Sequence, residues 1–190
     1  MKRAIIVHGW EGHPNEAWFP WLKANLEPRG FHVEIPQMPT PETPKIETWV
    51  PFLASVVGTP DADTYLIGHS IGVQTILRYL ETIDTSIGGV LAVAGFFNLK
   101  PGSIGSPEDI QMAQPWLKTP MDFEKIRKNA GQITAIFSDN DKYVSLENAD
   151  AFKEKLGAKT IIEHNRGHYG HHDLPFEISV ALEEILKMTK

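Results

Sequence analysis

Short apolar runs alternate with longer amphipathic stretches along the whole chain. Ala4–His8 is a continuous apolar run, the pattern of a strand covered on both faces. Ala17–Leu26 sets Trp18, Trp21, Leu22 and Leu26 on helical faces, and Pro28-Arg29-Gly30 stops it. Phe31–Ile35 reads as a second strand. Prolines at 36, 39, 41 and 44 then make Pro36–Pro44 an extended crossover loop without ladder bonds. Ile46–Val57 is helical, with Pro51 at an early turn or kink, and Gly58-Thr59-Pro60-Asp61 ends it. Thr64–Ile67 is a short run of β-formers, after which apolar residues at 73, 76, 77 and 80 mark one face of a helix. Gly88–Ala94 is the next buried strand.

Asn98–Met121 holds Pro101, Gly102, Gly105, Pro107, Pro115 and Pro120 and is read as an irregular loop or lid. Beyond it the pattern predicts a helix over Asp122–Asn129, a strand over Ile133–Phe137 and a helix over Leu146–Leu156. A strand over Thr160–Glu163 and a terminal amphipathic helix over Leu174–Met188 follow. Six strands alternating with helices predict an α/β fold, a parallel sheet with helices on both faces, in one domain spanning residues 1–190.

One junction in this pattern carries chemistry. Between the strand at Thr64–Ile67 and the helix that follows lies Gly68-His69-Ser70-Ile71-Gly72, a G-x-S-x-G. A serine on a sharp strand-to-helix turn has a strained backbone, and neighbouring chains approach it closely. Glycines two residues before and after remove the β-carbons that would clash. The turn lifts the Ser70 hydroxyl above the sheet edge as a candidate nucleophile. It also sets the Ile71 N–H at a helix N-terminus, where it can face a developing oxyanion. The loop after the first strand, His8-Gly9-Trp10-Glu11-Gly12, lies at the same sheet edge. The Trp10 main-chain N–H is the expected second oxyanion donor, with Glu11 as the alternative. His8 is read as a hydrogen-bonded residue that shapes this loop.

A serine hydroxyl is a poor nucleophile without a base and a carboxylate to orient that base. In this motif class the partners follow in the order Ser, Asp or Glu, His. Ser138-Asp139-Asn140-Asp141-Lys142-Tyr143-Val144 follows the fifth strand and offers two aspartates. Asp141 is preferred because it lies further out in the loop. His164-Asn165-Arg166-Gly167-His168-Tyr169-Gly170-His171-His172 follows the sixth strand and offers four histidines. His168, between Gly167 and Gly170, is the expected base. A metal site built from His164, His168, His171, His172 and Asp173 is the rival. Its four-residue spacing aligns ligands only on a helix, which the two glycines oppose. Phe96 and Trp116 are read either as walls of an apolar substrate pocket or as anchors for the irregular loop.

Composition narrows the classes. The 190 residues allow a sizeable core, and 42% hydrophobic with 22% charged residues is ordinary for a globular protein. Net charge is −6 and no Lys/Arg cluster stands out, so a nucleic-acid partner has no electrostatic footprint. The absence of cysteine excludes disulfides and thiolate catalysis. The first apolar run stops at His8-Gly9, too short for an export signal, and no stretch approaches the ~18 apolar residues of a membrane span. A soluble cytoplasmic protein is expected, with no cofactor and no metal.

These residues resemble the α/β-hydrolase fold: Gly68-His69-Ser70-Ile71-Gly72 its nucleophile elbow, Asp141-Lys142-Tyr143-Val144 its acid loop, Gly167-His168 its histidine loop. The short length and the His8-Gly9-Trp10 loop are similar to the small serine hydrolases of the retinoblastoma-binding protein nine type. The resemblance implies a three-layer α/β/α sandwich with six parallel strands in order 2-1-3-4-5-6 and no separate cap domain. It implies a serine hydrolase acting on a small ester or amide through Ser70, His168 and Asp141. The alternative is a catalytically weak scaffold that serves as a protein-interaction module.

Overall fold

The computed structural model describes residues 1–189. Six strands form one all-parallel sheet: β1 (Lys2–Val7), β2 (Phe31–Glu34), β3 (Thr64–His69), β4 (Gly89–Val93), β5 (Gln132–Ser138) and β6 (Lys159–Glu163). Their order in the sheet is β2-β1-β3-β4-β5-β6. The winding reverses between β1 and β3, and the crevice outside their carboxyl ends is where open α/β sheets bind ligands.

The central strands are apolar throughout because both faces are covered. On one face Ile5, Val7 and Leu66 join a core closed by α2 (Ile46–Val57), α3 (Ile71–Leu80), α5 (Phe123–Asn129) and α6 (Glu147–Leu156). On the other, Ala4, Ile6, Tyr65 and Ile67 pack under α1 (Phe19–Leu26) and α7 (Ser179–Met188). Alternate side chains of one strand thus feed two separate cores. Each large aliphatic side chain buried this way contributes about 1.5–3 kcal/mol.

Two expected helix starts move by more than one residue. The first helix starts at Phe19, because Ala17 has a left-handed φ of 49° and Pro20 opens the first turn. The last starts at Ser179, where Arg166 Nη2 binds the Pro175 and Glu177 carbonyls (3.0 and 2.7 Å) of the irregular stretch before it.

A larger correction falls within Asn98–Met121, which is not irregular throughout: Pro107–Lys118 is a helix, α4. Its start is well specified. Ser106 caps it by accepting the Asp109 N–H (3.0 Å), Pro107 takes a first-turn position, and Glu108 and Asp109 oppose the positive end. At the other end the buried Arg78 of α3 donates to the Trp116 and Thr119 carbonyls, both at 3.0 Å. Pro115 sits inside the helix and removes the N–H that would have bonded the carbonyl four residues earlier.

Candidate active site

The sharpest backbone feature is Ser70, at φ 54° and ψ −120° between β3 and α3. A non-glycine residue there is strained, and the surroundings hold it. Its N–H donates to the Val93 carbonyl (2.9 Å) and its carbonyl accepts the Val73 N–H (3.0 Å). The flanking glycines are sterically required. A β-carbon at Gly68 would meet Val73 Cα and N at 2.8 Å. One at Gly72 would land on the Val7 carbonyl and lie 2.7 Å from that of His8.

Three distant side chains meet here. His168 Nε2 lies 2.9 Å from Ser70 Oγ, and His168 Nδ1 lies 2.7 Å from Asp141 Oδ2. A carboxylate only accepts, so Nδ1 carries the proton and the Nε2 lone pair faces the serine hydroxyl. Asp141 is buried, and its other oxygen accepts the Tyr143 and Val144 N–H groups (2.8 and 3.0 Å). Burial pushes this carboxyl up. The bond to His168, the charge of that ring and the two N–H groups outweigh it, so the net displacement is down and Asp141 stays ionised. The Tyr143 ring packs edge-on against His168, with centroids 4.9 Å apart.

Asp139 has a different partner. It accepts from His164 Nδ1–H (2.6 Å) and from the Asn165 N–H (2.9 Å). Ser138 Oγ accepts the Arg166 N–H (2.9 Å), and Asn140 Oδ1 accepts the Gly167 N–H (2.7 Å). Four consecutive residues, 138–141, therefore stitch the loop after β5 to the loop after β6. His164 and His168 face different carboxylates. Among the described residues no group of three His, Cys, Asp or Glu is arranged to hold a metal ion.

The first-strand loop completes the floor. His8 is fully buried, with Met38 N–H donating to its Nε2 (2.9 Å) and its own Nδ1–H donating to the Gly9 carbonyl (2.8 Å). Both nitrogens are used in shaping the loop. The Glu11 N–H is spent on the Pro41 carbonyl (2.8 Å), so of the two donors considered after Gly9 it is Trp10 whose N–H stays available. Trp10, Ile71 and Ser70 line one cavity of about 350 Å³. Phe96 and Trp116 are both buried and both line it, and Trp116 is also anchored by Nε1–H to the Pro44 carbonyl (3.1 Å).

Three residues to which the sequence reading gives no part in the triad lie around this centre; of these Asp173 enters that reading only as a metal ligand. Lys100 Nζ donates to the Asp141 carbonyl (2.6 Å). His69, beside the serine, donates Nε2–H to the His168 carbonyl (2.7 Å). Asp173 Oδ2 accepts the His168 and Gly170 N–H groups, both at 3.0 Å. No local sequence pattern pointed to Asp173 in this role, because it accepts N–H groups that precede it in the chain. Nothing local marked the other two either.

Strand order and the strained serine turn make this an α/β hydrolase. Residues 4–177 match the family described as serine hydrolase, and the chain belongs to it; it is an enzyme of the hydrolase class. It is 29% identical over 195 residues to YdeN of Bacillus subtilis, covering 100% of this chain and 99% of that one. Against serine hydrolase RBBP9 of Rattus norvegicus it is 27% identical over 170 residues, covering 88% and 87%. The crystal structure of the B. subtilis ydeN gene product has a TM-score of 0.89 at 27% identity over 100% and 99% of the two chains. Est1E of Butyrivibrio proteoclasticus shares the fold, with TM-score 0.77 at 17% identity over 100% and 90%. Among the described residues no helix is long and apolar enough to cross a membrane.

Two buried imidazoles set an acid limit on stability. Burial holds His8 below its ordinary value and, with the charge of His168, pushes His69 down to about 3; the His168 carbonyl and Asp141 act the other way, and His8 adds a small further lowering. The folded state therefore binds fewer protons than the unfolded chain. The stabilisation is complete above the unfolded value of 6.5 and drains as pH falls from there towards 3. His69 alone accounts for roughly 3 kcal/mol between pH 7 and pH 4. Asp141, also displaced downwards, adds its loss at the acid end of that window. Urea midpoints at pH 7, 5.5 and 4 should fall steadily in the native protein and less steeply in His69→Phe.

Proposed function

We propose that this enzyme hydrolyses a small ester or amide through Ser70, His168 and Asp141, by way of an acyl-enzyme. The observation that carries this is the unbroken line from Ser70 Oγ through His168 to Asp141, at 2.9 and 2.7 Å, at the foot of the cavity. In this reading Ser70 Oγ attacks the carbonyl carbon while His168 Nε2 takes its proton. The oxyanion is held by the main-chain N–H groups of Ile71 and Trp10. Collapse breaks the bond to the alcohol or amine, which leaves with the proton from His168. Water then attacks the acyl carbon, gives its proton to His168, and the acid departs as the serine is reprotonated. The buried Asp141 carboxylate stabilises the imidazolium at each transfer and itself remains unprotonated.

The cavity suggests the size of the substrate. About 350 Å³ is near the lower end for small-molecule sites, and Phe96, Leu99, Ile104 and Trp116 supply an apolar wall. A compact apolar acyl group fits this wall better than a long chain.

Incubation of the native protein with a fluorophosphonate probe tests the reading. Ser70 Oγ displaces fluoride from phosphorus, and the expected result is one adduct per chain on the peptide containing Ser70. An unlabelled folded protein, or an adduct elsewhere, would sink the proposal and leave the interaction-module alternative.

A further inference from the structure

We infer that His69 and Asp173 are positioning residues that grip the main chain of His168 from its two sides and so fix the distance between base and nucleophile. This rests on the catalytic reading of Ser70 and His168 given above.

The histidine loop does not hold its own shape. His168 lies between Gly167 at φ 55° and Tyr169 at φ 58°, both left-handed, and for tyrosine that is a strained backbone. The imidazole must nevertheless meet Ser70 and Asp141 at once. A main-chain displacement near 1 Å would break one of those contacts, and errors of that size cost on the order of 10²-fold in rate. Something outside the loop's own torsions has to hold the peptide groups of His168.

Two side chains do so. Ahead of His168, the Asp173 carboxylate takes the His168 N–H and the Gly170 N–H on one oxygen, both at 3.0 Å. It packs so closely that a β-carbon at Gly167 would fall on it. Behind His168, its carbonyl accepts His69 Nε2–H at 2.7 Å. His69 ends β3 and adjoins Ser70, so this bond ties the serine's own strand to the loop that carries the base, across 99 residues of sequence.

Among the described residues the bond to the His168 carbonyl is the one hydrogen bond the His69 ring makes. Its ring is buried beside Trp18, Phe19 and His168, with centroids 6.3, 6.0 and 5.1 Å away. The carbonyl it meets only accepts, so the proton is on Nε2. Nδ1 is left with a bare lone pair, and among the described residues it has no partner. A buried nitrogen without a partner is a net cost that an apolar side chain would avoid. The single donor spent on the His168 carbonyl is what the histidine gains in return.

The experiment compares His69→Gln and His69→Leu, and Asp173→Asn and Asp173→Ala, using p-nitrophenyl butyrate turnover, thermal midpoint and amide exchange. Gln keeps an N–H donor at the reach of Nε2, and Asn keeps an acceptor oxygen. We expect kcat to fall about 10²-fold in the Leu and Ala variants with KM within about threefold, and to recover to within about fivefold of native in Gln and Asn. If His69→Leu does not fold, His69→Phe replaces it. Native kcat in the Leu, Phe or Ala variants overturns the grip, and so does a Gln variant as slow as Leu. Amide exchange reads the grip without turnover. His168 and Gly170 should exchange at least ~10-fold faster in Asp173→Ala and at the native rate in Asp173→Asn. A native protein that neither turns over nor labels refutes the catalytic reading, and unchanged exchange in Asp173→Ala refutes the grip.

Discussion

Replacing Ser70 with alanine should abolish fluorophosphonate labelling and lower ester turnover by ~10⁴-fold or more, and Asp141→Asn should cost about as much. The two losses have different causes. Without Ser70 Oγ there is no atom to carry the acyl group. Asp141→Asn leaves every heavy atom nearly in place, since an amide can still accept the Tyr143 and Val144 N–H groups that now bind Oδ1. The change acts at the other oxygen. Presenting NH₂ to His168 Nδ1 makes that nitrogen the acceptor and moves the ring proton to Nε2, where it faces Ser70 and blocks proton abstraction. The expected signature is a folded protein, its thermal midpoint lowered by the loss of the ionised carboxylate's stabilisation, with near-native KM and very low kcat. Asp139→Asn is the control. Asp139 bonds His164 and Asn165 rather than His168, so its loss should stay within about tenfold. Equal losses in both aspartate variants would assign the effect to loop stitching and remove Asp141 from its proposed role.

Gly72→Ala should be strongly destabilising for a single added methyl. The added carbon would collide with the Val7 and His8 carbonyls, main-chain atoms at and just past the end of β1, a strand paired on both sides. No side-chain rotation relieves that contact. Either α3 moves away from the sheet, taking Ser70 with it, or β1 shifts and takes the Trp10 loop. Overpacking of this kind costs about 3 kcal/mol, which for a chain of this size lowers the thermal midpoint by roughly 6–12 °C. Gly105→Ala is the comparison, because a β-carbon there meets nothing within 4 Å and the backbone is not left-handed. Its midpoint should stay within about 1 °C of native. A Gly72→Ala protein as stable as Gly105→Ala would mean that the turn is looser than these contacts require.

The elbow and the strands could be read in advance because each leaves a local trace, whereas the strand order was implied only by the family resemblance those motifs carry. Sharp turns exclude β-carbons, so Gly68 and Gly72 are visible as residue types. Strands covered on both faces must be apolar throughout, so β1, β3 and β4 are visible as short runs. The loops bearing Asp141 and His168 are visible because they follow such runs. The helix α4 also left a trace, the cap at Ser106-Pro107-Glu108-Asp109, but the prolines around it hid the signal. Its stability at the other end depends on Arg78, a residue of another helix.

Other questions had no local answer. The partner of each aspartate depends on how the loops after β5 and β6 pair. The availability of the Trp10 N–H depends on Pro41 occupying Glu11. The bond from His69 to His168 joins residues 99 apart. Residue type and periodicity act over a few positions, whereas hydrogen-bond partners at this site are chosen by which chain ends the sheet sets side by side. The sequence alone therefore determined the elements and the chemistry offered at each loop. The tertiary structure alone decided which groups meet, because that depends on distances through space that no spacing along the chain encodes.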